Sequence, residues 1–251
     1  MGLHSYAEDV AETIPLFPLG TVLFPGVVLP LHIFEPRYRA LIRDLMTGGP
    51  DARQFGVCAI RQGWEVGEDA VTALYEVGCT AELRQVQPYR DGRFDVVSVG
   101  RDRFRLLEVI PANGEVPYLR GRIERLPEAV ADARAGEEAE VLAAGVREVF
   151  ARCRTLLHAT LRAGEQTGDD ESGQPILPAL PLPSDPAMLS YLVGSAAPLT
   201  LDDQQSLLAI DDSVGRLRRQ LRLLKREATM LSRLHAVPVP LSQVQVSQSP
   251  N

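Results

Sequence analysis

The chain is nearly without lysine. Of 26 basic residues in 251, only Lys225 is a lysine. A phosphate-binding loop of the form G-x-x-x-x-G-K-[ST] needs that side chain to reach the phosphates, and no such motif occurs. A Ser–Lys dyad would have to use Lys225, which sits among Arg219, Arg222 and Arg226. Nothing in that setting desolvates the amine and lowers its pKa for base catalysis. Neither G-x-G-x-x-G nor H-E-x-x-H is present, and the four histidines (His4, His32, His158, His235) lie far apart. Spacing therefore supports no metal site, and neither a cofactor nor enzymatic activity is expected. The three cysteines, Cys58, Cys79 and Cys153, are odd in number and form no C-x-x-C. That argues against a disulfide framework and fits a reducing cytoplasm better, with each thiol acting as a small apolar side chain. Cys153 and His158 are five positions apart, the wrong offset for neighbours on a helix.

Excess positive charge is also missing. The formal net charge is −7. Residues 13–127 balance at zero, with 14 basic and 14 acidic side chains, and residues 128–200 carry −6. Nucleic-acid binders usually show a basic domain. The run Arg101-Asp102-Arg103-Phe104-Arg105 could stack on nucleic acid. In a segment of zero net charge it reads better as an alternating strand whose arginines pair with acids on neighbouring strands. Trp64, the only tryptophan, is a core anchor or a contact at a loop tip; aromatics are enriched at interfaces.

Charge of either sign is absent from Ile14 to Phe34, a run long enough to span a bilayer. Pro15, Pro18, Pro25 and Pro30 would break a helix there four times. The residues before it are acidic, so no signal peptide is read. Short strands and turns are expected instead, and no membrane association.

The strand-like segments are 14–17, 27–33, 55–60, 72–87, 94–99, 104–109 and 118–126, with a loop over 61–69. Tyr89-Arg90-Asp91-Gly92 is a hairpin turn, because Asp-Gly favours positive φ. One helix interrupts them. Pro36 suits its first position, and Tyr38, Leu41, Ile42, Leu45 and Met46 form its apolar stripe. After Pro127 the spacing turns helical. Leu142, Val146, Val149, Cys153 and Leu156 fall on one face of a helix over about 133–163. Pro186 opens a short helix, and Thr200 or Asp202 caps another. In the last helix Val214, Leu217, Leu221, Leu224, Ala228 and Leu231 form a seam, read as packing on the 133–163 helix. The expected organisation is α+β: flexible tails at 1–12 and 236–251, a β-rich lobe over 13–127, and a helical lobe over 128–235 with a flexible insertion at 164–185.

Several of these residues together resemble one family. Ile14-Pro15-Leu16-Phe17-Pro18-Leu19, Val22-Leu23-Phe24-Pro25-Gly26 and Leu29-Pro30-Leu31 are similar to the opening of the Lon protease N-terminal domain. Phe34-Glu35-Pro36-Arg37-Tyr38 resembles stand-alone bacterial members. Phe55-Gly56-Val57, Val77-Gly78-Cys79-Thr80-Ala81, Gly100-Arg101-Asp102-Arg103-Phe104 and Pro117-Tyr118-Leu119 follow in the family's order. The resemblance covers residues 13–234. It implies a β-rich pseudobarrel of PUA-like topology followed by a helical bundle, and a stand-alone member without the ATPase and peptidase parts. By implication the protein is a non-catalytic module for unfolded or exposed apolar protein segments, serving a protease or chaperone in proteolysis or quality control. The contact residues expected for peptide are Glu35, Arg37, Tyr38 and Trp64. The alternative is an RNA-binding module of PUA-like fold.

Overall fold

The computed structural model describes residues 11–49, 53–63, 71–129, 132–164 and 181–235. Seven strands form one sheet: β1 (Glu12–Leu19), β2 (Val28–Ile33), β3 (Gln54–Gly63), β4 (Val71–Leu74), β5 (Val77–Pro88), β6 (Phe94–Ile110) and β7 (Arg120–Leu126). Among the described residues five helices accompany it: α1 (Pro36–Thr47), α2 (Ala133–Gly164), α3 (Pro186–Ala196), α4 (Leu201–Leu208) and α5 (Ser213–His235). The architecture is α+β. Among the described residues all strands precede residue 127, and every helix but α1 follows it.

The strand pairing closes on itself. The path runs β1–β7–β6–β5–β3, and β3 returns to pair β1 in parallel, Leu16 opposite Gly56. β6 makes this possible by its length. Its first half borders β2 and β5, and its second half borders β5 and β7. Register shifts opposite Cys79–Ala81, Leu83–Gln85 and Leu106–Glu108 mark the irregularities that let a long strand bend. β2 pairs with β6 alone among the described residues.

Two strand expectations are corrected. Residues 94–99 and 104–109 are one strand. The glycine and charges between them read as a break, but Gly100 is needed within the pairing. Its N–H donates to the Val27 carbonyl and its carbonyl accepts from Gly26 N–H, each at 2.9 Å. A Cβ on Gly100 would stand 2.1 Å from the Phe24 carbonyl oxygen. Conversely, residues 72–87 are two strands, parted at Tyr75–Glu76, where Tyr75 N–H turns back to the Ala59 carbonyl. Glu12, expected in the tail, opens β1, and its carboxylate holds Arg125 at 3.0 Å. Residues 1–10 and 236–251, Trp64, and most of the 164–185 insertion (165–180) lie outside the described residues.

The hairpin forms at the residues expected, with Gly92 at φ 81° and Tyr89 N–H donating to the Arg93 carbonyl. α1 starts at Pro36, where the lost N–H costs nothing. It buries Tyr38, Leu41, Ile42 and Leu45 against Phe17, Phe55, Val57, Phe94 and Val96. A second small core, Ile14, Leu16, Cys58, Phe104 and Ile123, fills another part of the strand circuit.

α2 and α5 pack through the expected seam. Leu217, Leu224 and Ala228 are buried with Ala139, Ala143, Val146, Phe150 and Cys153, and Val214 and Leu221 flank them. Side chains cap the shorter helices: Asp185 accepts from Met188 N–H at 2.7 Å, and Thr200 from Asp203 N–H at 3.2 Å.

The sheet and the helices meet across a shared core of Val22, Phe24 and Ala59 with Tyr191, Leu207, Leu208 and Leu223. Two buried arginines close this junction. Arg103, 2% exposed, donates to the carbonyls of Leu208, Ile210, Asp211 and Pro127. Arg216, fully buried, donates to Ser190 Oγ, the Ile210 carbonyl and Glu128, with its guanidinium 4.0 Å from the Tyr191 ring centre. Glu128 also accepts from the Tyr191 hydroxyl. Arg101 and Arg105, on either side of Arg103 along β6, pair with Glu82 and Glu124 on the neighbouring strands.

Candidate functional site

β1 and β2 are not hydrogen-bonded to each other, and a groove of about 140 Å³ opens between their ends and the start of α1. Phe17, Pro18 and Leu19 line one side, Leu31 to Phe34 the other, with Glu35 and Tyr38 at the end. Three of the four expected contact residues gather here. Glu35 is the residue before the first turn of α1; its side chain caps no N–H and instead holds Arg37 at 2.9 Å. The Arg37 guanidinium lies 4.6 Å from the centre of the Tyr38 ring. Tyr38 itself belongs to the core: it is 5% exposed and stacks at 4.1 Å on Phe17. Trp64, the fourth, lies outside the described residues. Phe34, half exposed at the rim, was not singled out by sequence reasoning. Its signal was available, since it is a large apolar residue directly before the helix start.

Beside the groove, Asp95 accepts from the Tyr89 hydroxyl and sits 2.6 Å from His32 Nδ1. Those two hydrogen bonds, from Tyr89 first and His32 second, hold the Asp95 carboxyl below its ordinary range. The same bond from Tyr89 to Asp95 raises the Tyr89 hydroxyl. Arg93 approaches His32 Nε2 at 3.3 Å and pairs with Asp91 at 2.7 Å.

A second groove, about 300 Å³, lies at the other end of β2. Pro25, Gly26 and Val27 face Pro181, Leu182, Pro183, Met188 and Leu192 across it. Every lining residue is apolar. Sequence reading missed it because the two walls lie some 155 positions apart. Each proline run reads only as a local turn or an extended stretch. Gly26, at φ 75°, shapes its floor, and a Cβ there would meet Met188 Cε at 2.3 Å.

The three thiols are buried. Burial pushes the Cys58 thiol up to about 12 and Cys79 higher still; Cys153 is also raised, by burial and then Glu227. The carboxylate and imidazole at the first groove are each tied to a partner. Among the described residues no three His, Cys, Asp or Glu side chains are placed to hold a metal ion. Nor is any described helix long and apolar enough to cross a membrane. The arrangement offers apolar concavities at a strand margin, which suits binding.

The sequence model of the ATP-dependent protease La (Lon) substrate-binding domain matches residues 13–226. This chain belongs to that family. Lon protease 2 of Sorangium cellulosum is 30% identical over 225 residues, covering 88% of this chain and 25% of that protein. Lon protease 2 of Myxococcus xanthus is 28% identical over 231 residues, with 89% and 25% covered. The chain thus spans about a quarter of the length of the Lon proteases it matches. The Lon fold is seen in two solved structures, each 22% identical. One is a Lon N-terminal domain protein from Xanthomonas campestris (TM-score 0.52, covering 84% of this chain and 98% of that one). The other is the N-terminal domain of a Mycobacterium avium complex Lon protease (TM-score 0.51, 85% and 98%).

Proposed function

We propose that this protein is a non-catalytic recognition module for unfolded or damaged polypeptide, working in the cytoplasm and presenting exposed apolar segments to a protease or chaperone. The observation that carries the reading is a Lon substrate-binding domain with open apolar grooves beside β2 and balanced charge on its strand-bearing part. The closed circuit of strands supports a pseudobarrel of PUA-like topology as its frame. The buried, unpaired thiols fit a reducing compartment. Glu35, which lines the first groove, and Arg37, held to it at 2.9 Å, would steer the chain entering it. Tyr38 would form its floor, and Trp64 would add an aromatic contact.

The test compares one polypeptide in two states. A fluorescently labelled, reduced and alkylated protein that cannot fold is titrated with the full chain, and its folded parent is titrated alongside. Saturable binding of the unfolded form alone is expected. Equal affinity for both forms, or for neither, refutes the reading. ATP turnover or cleavage of the bound polypeptide that is lost when this chain is mutated refutes its non-catalytic part.

A further inference from the structure

We infer that β2 is the docking strand: an extended apolar segment of the client pairs along its outer edge and anchors one side chain in each groove. This rests on the polypeptide-binding reading above and specifies how the contact is made.

Backbone geometry comes first. Gly100 N–H donates to the Val27 carbonyl, and Val28 stands opposite Val99. Antiparallel pairing alternates, so Leu29, Leu31 and Ile33 direct their N–H and C=O groups at β6, as Val27 does its carbonyl, while Val27 N–H donates to the Phe24 carbonyl. The groups of Val28, Pro30 and His32 point the other way, where no strand pairs with β2 among the described residues. Pro30, which has no N–H to give, sits on that outward side, as proline in an edge strand must. An edge of this kind is complementary to one thing, another extended backbone.

Side chains then restrict which backbone. Val28 and Phe34 are 58% and 50% exposed, and they bracket the strand. The groove at Pro25–Val27 begins where β2 begins, and the groove at Leu31–Phe34 ends where it ends. From Val27 to Phe34 is seven steps, or about 23 Å of extended chain. The groove at Pro25–Val27 carries no charged lining residue, and in the groove at Leu31–Phe34 the lining carboxylate, Glu35, is already held by Arg37. A charged anchor would meet no partner in either. The client is therefore an uncharged stretch of about eight residues with a large apolar side chain near each end.

The experiment uses the full chain and a fluorescein-labelled peptide of about ten residues, alternating Val and Thr with Leu near both ends, read by anisotropy. Two alternately N-methylated versions block one peptide edge or the other. In the protein, Val28→Pro removes an outward N–H at an exposed edge position, and Val141→Thr, at an exposed site on α2, is the control. Circular dichroism confirms that each variant folds. Expected results are a loss of about tenfold or more with Val28→Pro, no change with Val141→Thr, and a large loss with only one of the two methylated peptides. Binding that tolerates Val28→Pro and both methylation patterns overturns the docking strand and leaves polypeptide recognition standing. No binding of the peptide, or of any unfolded polypeptide, overturns both.

Discussion

Replacing Glu128 by Ala tests how the strand-bearing and helical parts are held together. Its carboxylate faces Arg216, which has no solvent contact, and lies 3.9 Å from Arg103, which is almost as buried. It also takes the Tyr191 hydroxyl, whose pKa is raised first by burial and further by that bond. Removing one partner of a buried pair typically costs about 3–5 kcal/mol, because the remaining charge is stranded. Glu128 is 31% exposed, so water can partly replace it, and Arg216 keeps Ser190 Oγ at 2.7 Å and the Ile210 carbonyl at 2.8 Å. About 2–3 kcal/mol is the expected loss. Arg216→Met leaves Glu128 free to hydrate, and the Ile210 carbonyl retains Arg103 at 2.9 Å, so it should cost less, about 1–2 kcal/mol. Urea unfolding followed by far-UV circular dichroism at neutral pH measures both. A Glu128→Ala loss under about 0.5 kcal/mol, typical of a surface site, refutes the clamp. So does a larger loss for Arg216→Met than for Glu128→Ala.

Gly100→Ala should destabilise the protein by about 3 kcal/mol or more, since its Cβ would strike the Phe24 carbonyl, which cannot move without breaking the β2–β6 pairing. The same urea titration reads it. None of Cys58, Cys79 and Cys153 should react with a thiol reagent in the native state at neutral pH, and all three should react in denaturant. A fast native thiol would show that the burial described is wrong. Asp203 is pushed up by burial, but hydrogen bonds from Arg226 and Thr200 outweigh this and hold its carboxyl below its ordinary value of 3.8. With the folded pKa below the unfolded one, its stabilisation is present above about pH 3.8 and is lost as pH falls further. Asp203→Asn should flatten the acid limb of stability in that range, and an unchanged limb would contradict the assignment.

What could be read in advance was local. The α1 stripe, the seam of α5 against α2 and the Asp-Gly turn each depend on spacing within one segment. The helix caps are equally local, and Thr200, one of the two candidates before α4, caps it. β6 was misread because Gly100 and Arg101–Arg103 look like a break. What keeps the strand going is remote: the β1–β2 connection needs Gly100 bare, and the residues after α4 bury Arg103. Arg103 was expected to face a strand neighbour like Arg101 and Arg105. Nothing in its local pattern distinguishes it from them. The candidate site shows the same division. The turn at Glu35–Tyr38 was legible, but the apolar groove between Pro25–Val27 and Pro181–Met188 exists only once α3 is packed on the sheet. That β2 pairs with β6 alone among the described residues depends on which strand finds which partner, and Pro30 was a local sign of an edge.

The central claim, recognition of apolar polypeptide, is tested most directly by salt. The full chain is titrated against a fluorescent unfolded polypeptide and against a single-stranded RNA, each at low and at high salt. Contacts to phosphates weaken steeply as salt rises, because counterions are released on binding. Burial of apolar surface holds, and in sulfate or phosphate salts it strengthens. The account predicts saturable polypeptide binding that persists at high salt, with RNA bound weakly or not at all. Tight RNA binding with a steep salt slope, and no binding of the polypeptide, would contradict it.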